Sequence, residues 1–194
     1  IQYNTPIVGT GMEADAAYYS GQMIVAPSDG VVLAADSGRV VFEDAQTKER
    51  KRWDLTKFMK SNAYTSVNQK VRCTPGQEVK QGDLLIDGSS MDYGELALGQ
   101  NLMVGFMSYE GHNFEDAIVI SERLVKDDTF TSVHIEDFSV DVADTQLGEE
   151  QVTRDIPNVS EERLNDLDSE GVIRMGARVS HGDILVGKIS PKGE

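Results

Sequence analysis

Short apolar runs separated by turn-forming residues dominate the chain. Near the amino terminus, β-branched and other apolar residues occupy positions 23–26, 30–34 and 39–42, and Asp-Gly and Ser-Gly pairs stand between them. Runs of this length with this punctuation are typical of β-hairpins. The pattern therefore predicts a meander of short strands. Three later apolar runs predict further strands, at residues 101–107, 117–120 and 130–135.

Helical patterns are few and short. Residues 121–126 begin with Ser121, a favoured N-cap residue, followed by a glutamate. Residues 160–167 begin with Ser160 and carry two acidic residues in the first turn, where carboxylates complement the helix dipole. We therefore predict two short helices in a mainly β chain.

One ten-residue pattern occurs twice, at a spacing of 100 residues. Residues 76–85, the first copy, and residues 176–185, the second copy, both match G-x-x-V-x-x-G-D-x-L. Two glycine turns around a buried valine make a compact β-corner of the kind that closes small barrels. The pattern resembles the hammerhead turn of barrel-sandwich hybrid folds, which include biotinyl and lipoyl carriers. We therefore predict two small barrel or barrel-sandwich modules that divide near residues 144–148.

Composition narrows the classes of function. The 194 residues include 33 acidic and 18 basic residues, for a formal net charge of −15, which argues against a stand-alone nucleic-acid binder. The single cysteine, Cys73, excludes an intramolecular disulfide and a zinc cluster built from cysteines. No apolar run approaches the roughly 18–20 residues of a membrane span, so we expect no membrane partner. The start at Ile1 suggests a piece of a longer protein.

The charge is unevenly distributed. Residues 48–80 hold nine basic and three acidic residues, whereas residues 110–170 hold eighteen acidic and four basic residues. Trp53, Phe58 and Tyr64 are interleaved with the basic residues. Basic residues with aromatics are typical of a nucleic-acid interface. The alternative is a solvated edge whose aromatic residues anchor the core.

Glu115 and Asp116 are the candidate pair for chemistry. Adjacent carboxylates can share Mg²⁺, a hard cation that is often bound through one or two carboxylates and substrate phosphates. The chain has several other acidic doublets, so adjacency alone does not single this pair out. Its position between a turn and the predicted strand at residues 117–120 does, because a buried strand would hold the pair rigidly.

The strings at residues 101–107 and 111–123 resemble the central part of the β subunit of bacterial-type DNA-directed RNA polymerase. The second string contains the sequence Asn-Phe-Glu-Asp at Asn113 to Asp116. The match covers nearly the whole chain and is weakest at residues 35–60. It continues through further strings at residues 6–13, 94–101, 131–136, 153–160 and 182–194.

The resemblance implies an internal segment of a large subunit. Residues 1–144 would belong to the hybrid-binding region around the active centre, and residues 145–194 would begin the flap, or wall. Glu115 and Asp116 would help to place the second Mg²⁺ and the triphosphate of the incoming nucleotide. The chain would therefore contribute to nucleotidyl transfer only within the full enzyme and would be inactive alone.

The resemblance also implies partners. The principal Mg²⁺ ligands of this family lie on the β′ subunit, and the complex contains α subunits, a sigma factor or other regulators near the flap, template DNA and RNA. It would work in the cytoplasm at the nucleoid, or in a plastid. We expect Lys57 and Lys60 of the basic segment to lie nearest nucleic acid. Two alternatives remain: a stand-alone carrier-like module, for which no lysine stands at the required hairpin tip, and a docking surface for a regulator.

Overall fold

The structure is a computed structural model that describes residues 1–191. The last three residues of the 182–194 string lie outside the described residues. The chain divides into two compact units, Ile1–Glu136 and Asp137–Glu194, hereafter unit 1 and unit 2. The predicted functional division after residue 144 stays a prediction.

Strands far outnumber helices, which confirms the predicted mainly β fold with a few short helices. The helices are α1 (Glu13–Tyr19), α2 (Glu122–Lys126) and α3 (Glu161–Leu164). The strands of unit 1 are β1 (Ile24–Val25), β2 (Gly30–Ala35), β3 (Arg39–Asp44), β4 (Arg50–Asp54), β5 (Met59–Lys60), β6 (Ser66–Val67), β7 (Lys70–Val71), β8 (Glu78–Val79), β9 (Leu84–Asp87), β10 (Met91–Asp92) and β11 (Glu95–Leu96). Those of unit 2 are β12 (Asp144–Thr145), β13 (Gly148–Glu149), β14 (Gln151–Val152) and β15 (Lys188–Ile189). Over residues 1–191, every helix is too short to cross a membrane.

Two antiparallel sheets share the core of unit 1. One has the strand order β4-β3-β2-β8, and the other has the order β1-β9-β7. Val32, Val40 and Phe42 of the first sheet and Leu85 and Ile86 of the second belong to one cluster of buried side chains. Each fully buried aliphatic or aromatic side chain contributes about 1.5–3 kcal/mol. The two sheets therefore stabilise each other through a common apolar layer.

Aspartate turns and a close backbone approach define the central hairpin. Between β2 and β3, Asp36 Oδ1 accepts hydrogen bonds from the backbone N–H groups of Gly38 and Arg39, at 2.8 and 3.0 Å. At the start of β2, a Cβ on Gly30 would lie 2.3 Å from the carbonyl oxygen of Glu43. Only glycine fits there. Gly30 belongs to the Asp-Gly pair at the start of β2, so this pair, which predicted a turn before β2, also permits the close packing of β2 on β3.

Both copies of the repeat form the same turn. The Asp83 carboxylate accepts a hydrogen bond from the N–H of Lys80 at 2.8 Å, and the Asp183 carboxylate accepts one from the N–H of Ser180 at 2.7 Å. The preceding Gly82 and Gly182 have φ values of 88° and 91°, in the left-handed region that favours glycine. The Gly-Asp turn of the predicted corner is therefore present twice, but the valine of the pattern is buried only in the first copy.

The predictions for the middle of the chain are wrong in part. Residues 101–107 and 117–120 form no strand, and residues 130–135 contribute only an isolated bridge between His134 and Thr65. A strand requires a neighbour to pair its N–H and C=O groups. These apolar runs lack one within the described residues, and most of their large side chains are exposed.

Two of the three helices were predicted. α2 has the expected cap, in which Ser121 Oγ accepts a hydrogen bond from the N–H of Arg123 at 3.3 Å. α3 is shorter than the predicted span of 160–167, and Ser160 makes no capping hydrogen bond through its side chain. α1 was missed, because a helix of seven residues that buries only Ala17 leaves no apolar periodicity in the sequence.

Unit 2 is held by a small polar network and a few apolar contacts. β14 pairs with β15, and Leu164 and Leu167 are its buried leucines. Glu150 accepts hydrogen bonds from Lys188 Nζ at 2.8 Å and from the Ser190 hydroxyl. Together these contacts lower the pKa of Glu150 from 4.5 to about 2, and the hydrogen bond from Lys188 contributes most to this shift. The Glu150 carboxylate is therefore ionised throughout the physiological range.

Candidate functional site

A clamped turn carries the candidate acidic pair. Asn113 Oδ1 accepts a hydrogen bond from the N–H of Tyr109 at 2.9 Å, and its Nδ2 donates one to the carbonyl oxygen of Met107 at 2.6 Å. One asparagine side chain thus closes a loop of seven residues from both sides. The next turn is closed by the N–H of Ala117, which donates to the carbonyl oxygen of Phe114 at 3.2 Å.

Glu115 and Asp116 lie in the middle of that second turn. Glu115 has a φ of 54°, a conformation that costs a non-glycine residue about 1–2 kcal/mol. Both residues are exposed, and neither carboxylate has a hydrogen-bond or ion-pair partner within residues 1–191. The turn therefore presents two adjacent carboxylates whose oxygens remain available to a ligand.

The structure changes the reason for choosing this pair. The predicted buried strand at residues 117–120 does not hold the pair, because these residues are exposed and outside any sheet. The rigidity instead comes from Asn113 and from the backbone hydrogen bonds of the turn. Asn113 was part of the family string, yet its clamping role was missed because a side chain that bonds backbone on both sides leaves no periodic signal.

The donor chemistry fits part of a Mg²⁺ site. Carboxylate oxygens suit this hard cation, which demands six nearly octahedral ligands and keeps several waters. In the described part of the chain, no group of three or more His, Cys, Asp or Glu side chains could hold a metal ion. Glu115 and Asp116 can therefore supply at most a minority of the ligands.

The basic segment divides into a buried and an exposed part. Trp53 on β4 packs against the core cluster beside Phe42, with 6.3 Å between the ring centroids, which fits the core-anchor alternative. Phe58 and Tyr64 lie outside the core and are exposed. Lys57 and Lys60 accompany them: Lys57 Nζ lies 5.7 Å from the Phe58 ring centroid, and Lys60 Nζ lies 5.4 Å from that of Tyr64. The nucleic-acid alternative stays a prediction, and the exposed aromatic residues that it requires lie at residues 57–64.

A buried ionic network was also missed. Asp87 at the end of β9 is fully buried and accepts hydrogen bonds from Arg72 Nε and from the N–H groups of Tyr93 and Gly94, the latter two at 2.9 and 2.8 Å. Arg72 also donates to Asp92 at 2.8 Å. A buried carboxylate needs such partners. The network joins β7, β9 and β10, and no sequence motif marks it.

Comparison with known proteins identifies the family. A profile of the RNA polymerase Rpb2 domain 6 family matches residues 25–194. The chain belongs to that family. The resemblance seen in the Asn-Phe-Glu-Asp string and its neighbours is therefore confirmed.

Similar proteins are each named DNA-directed RNA polymerase subunit beta. The protein of Acetivibrio thermocellus is 54% identical over 196 residues, which cover 100% of this chain and 15% of that protein. The protein of Chloroflexus aggregans is 54% identical over 191 residues, which cover 98% of this chain and 16% of that protein. The protein of an Anaeromyxobacter species, strain K, is 52% identical, with coverages of 100% and 14%. The chain thus spans 14–16% of the length of these relatives.

Proposed function

We propose that this chain is part of the β subunit of a DNA-directed RNA polymerase and contributes to template-directed nucleotidyl transfer at the active centre. The family match over residues 25–194 carries the proposal. Three similar proteins, whose matches cover 98–100% of this chain, are named as that subunit. The alternative of a stand-alone carrier-like module has no such support. A subunit of this kind works in a multi-subunit complex with DNA and RNA.

Within that complex, Glu115 and Asp116 act as auxiliary carboxylates beside the triphosphate of the incoming nucleotide. Their exposure and lack of intramolecular partners support this role, because an engaged carboxylate would have to break a bond first. Phosphoryl transfer depends mainly on positioning and on neutralising negative charge. The Asn113 clamp and the backbone hydrogen bond of the following turn fix the backbone that carries both carboxylates, so mainly side-chain entropy is lost when a ligand binds.

Magnesium supplies charge neutralisation on the phosphate oxygens when it is bound. Glu115 and Asp116 would hold the ion that arrives with the nucleotide, and the remaining ligands would come from the β′ subunit, water and the triphosphate. The α subunits, a sigma factor or other regulators near the flap, template DNA and RNA complete the proposed partners. The complex would work in the cytoplasm at the nucleoid, or in a plastid.

The test replaces both carboxylates with amides in the full-length subunit of the assembled polymerase, as Glu115→Gln and Asp116→Asn. Amides keep the shape of the turn and remove both charges. We expect single-nucleotide addition to slow by about 10–100-fold at limiting Mg²⁺, the usual cost of disturbing groups that support a metal. The loss should shrink as Mg²⁺ and nucleotide concentrations rise.

The matched control is the exposed doublet at the start of α3, changed as Glu161→Gln and Glu162→Gln. It removes the same charge from another turn. Unchanged Mg²⁺ and nucleotide dependence in the Glu115→Gln and Asp116→Asn variant would contradict the proposed role. Equal effects in both variants would instead indicate a general charge effect.

Lys57 and Lys60 form the proposed nucleic-acid side of the chain. Both are exposed, and residues 55–77 contain four basic residues but no acidic one. Each phosphate contact on single-stranded nucleic acid lowers the slope of log affinity against log salt by about 0.7. Lys57→Ala with Lys60→Ala should therefore reduce the salt sensitivity of the elongation complex. An unchanged salt slope would remove this assignment.

A further inference from the structure

A tight hairpin carries the exposed aromatic residues of the basic segment. β5 pairs with β6, and the loop between them is closed by the Ser61 and Thr65 hydroxyls, which are 2.6 Å apart. The N–H of Tyr64 donates to the carbonyl oxygen of Ser61 at 3.0 Å, and the carbonyl oxygen of Tyr64 accepts from the N–H of Ile135 at 2.8 Å. Both the N–H and the C=O group of Tyr64 are thus hydrogen-bonded, so its ring projects from a rigid loop.

Phe58 and Tyr64 are held in an unfavourable backbone conformation. Their φ values are 48° and 62°, which cost a non-glycine residue about 1–2 kcal/mol each. Such conformations persist where the surrounding structure enforces them, and they concentrate at functional positions. Despite their apolar rings, Phe58 is 68% exposed and Tyr64 is 54% exposed. Phe58, directly before β5, and Tyr64, in the loop between β5 and β6, are therefore held in a costly backbone conformation with their rings exposed to solvent.

Each ring is accompanied by a lysine. The Lys57 and Lys60 ammonium groups lie 5.7 and 5.4 Å from the centroids of Phe58 and Tyr64, within range of a cation–π contact. Lys57 Nζ also donates to the carbonyl oxygen of Gln69 at 2.9 Å, which fixes its position. The surface thus alternates aromatic rings with positive charges over a few residues.

The charge of the surroundings indicates the sign of the partner. Residues 55–77 contain no acidic residue, in a chain whose net charge is −15. Of their basic residues, Lys57, Lys60 and Lys70 are exposed, whereas Arg72 is paired with Asp87 and Asp92. This concentration of positive charge on an acidic chain favours an anionic partner. The two aromatic rings indicate that the partner also carries flat groups, because an anionic surface without them would leave both rings exposed.

From these observations we infer that Phe58, Tyr64, Lys57 and Lys60 form a binding surface for single-stranded nucleic acid, in which unpaired bases stack on the two rings and phosphates contact the two lysines. Stacking on aromatic side chains tolerates any base, since every base has a flat face. A duplex hides those faces between its own base pairs, so it could use the lysines alone. The inference rests on the proposed function. It adds base stacking on the two aromatic rings to the phosphate contacts proposed for the two lysines.

The first test is photochemical and uses the unmutated protein. An elongation complex of the full polymerase is assembled with 5-iodouracil at single positions in the template DNA, the non-template DNA or the RNA, and then irradiated. Crosslinks to Phe58 or Tyr64, mapped by peptide mass spectrometry, are expected from unpaired positions of one strand and identify that strand. Tyr19, which is 82% exposed and lies outside the basic segment, is the internal control.

Crosslinking to Phe58 and Tyr64 no stronger than to Tyr19, or only from paired positions, would overturn the inference. So would protection of both rings from chemical modification in the polymerase without nucleic acid, since another protein segment would then cover them. Because no residue is changed, none of these outcomes depends on a variant folding correctly.

The second test separates stacking from charge. Phe58→Leu with Tyr64→Leu keeps apolar bulk and both lysines, so we expect about tenfold faster dissociation of the elongation complex with an unchanged salt slope. Lys57→Ala with Lys60→Ala should make the slope of log affinity against log salt about 1.4 less steep. A change in the lysine variant without one in the leucine variant would refute stacking and leave the lysine assignment intact. No change in either would refute both.

Discussion

The two copies of the repeat have the same turn and different surroundings. In each, an aspartate accepts a hydrogen bond from the N–H three residues earlier, at 2.8 Å for Asp83 and 2.7 Å for Asp183. The valine of the pattern is 3% exposed in the first copy, as Val79, but 52% exposed in the second, as Val179. Ten residues are therefore enough to form the corner but not to bury it.

The difference lies in the neighbouring strands. Val79 belongs to β8, which pairs with β2, and it packs in the cluster shared by the two sheets of unit 1. Residues 178–180 belong to no strand. Position 87, two residues beyond the first copy, holds the buried Asp87, whereas the corresponding position 187 holds a glycine in close contact with the backbone of Thr153. The copies thus diverge where tertiary contacts begin.

The largest expected effect comes from position 87. Asp87→Ala would leave Arg72 with one of its two carboxylate partners and would orphan two backbone N–H groups, so it should destabilise unit 1 by about 3 kcal/mol, the lower end for a broken buried ion pair. Urea unfolding followed by the fluorescence of Trp53, the single tryptophan, measures this. A loss below about 1 kcal/mol would show that the network is not a main support of unit 1.

The corresponding change in the second copy is Gly187→Ala at position 187. Its expected destabilisation of unit 2 has a different physical cause. Its Cβ would lie 2.2 Å from the carbonyl oxygen of Thr153, so the backbone must move at a cost of about 1–3 kcal/mol. Amide hydrogen exchange should become faster in unit 2 and stay unchanged in unit 1. Faster exchange in unit 1 as well would mean that the two units do not unfold independently.

The next effect separates the two valines. Val79→Ala removes buried methyl groups from a shared core and should cost about 2 kcal/mol, whereas Val179→Ala on the surface should stay within about 0.5 kcal/mol. Trp53 fluorescence reports the first change, and hydrogen exchange in unit 2 reports the second. Equal costs would contradict the conclusion that partner strands, and not the pattern itself, distinguish the copies.

The smallest difference between the two copies is expected at the glycine of the shared turn. Gly82 and Gly182 have φ values of 88° and 91°, and a Cβ at either position would meet no atom within 4 Å. Alanine should therefore cost about 1–2 kcal/mol at each position through backbone strain alone. Gly82→Ala and Gly182→Ala, measured as above, should agree within about 0.5 kcal/mol. A clear difference would show that the surroundings influence even the turn.

The central hairpin was predictable because its information is local. Asp36 and Gly38 specify the turn, and apolar runs on both sides specify the strands. The apolar strings at residues 101–107 and 117–120 carry an equally clear pattern, yet they form no strand here. Hydrophobicity shows that a segment is suited to burial, but a sheet also requires a second strand at hydrogen-bonding distance.

The candidate site shows the same division. Glu115 and Asp116 were selected from the sequence, and Lys57 and Lys60 from the local charge. The clamp by Asn113, the positive φ of Glu115 and the exposure of Phe58 and Tyr64 were not predictable. Each depends on where the chain has already been placed by contacts elsewhere.

The sequence by itself determined the family, the mainly β character and the two turns of the repeat, because these depend on residue strings and on hydrogen bonds between near neighbours. Only the tertiary structure decided which valine of the repeat is buried, which aromatic residue of the basic segment joins the core, and which aspartates pair with Arg72. Those outcomes depend on contacts between strands that are far apart in the sequence. Whether a side chain is buried is decided by both strands of such a contact and not by either strand alone.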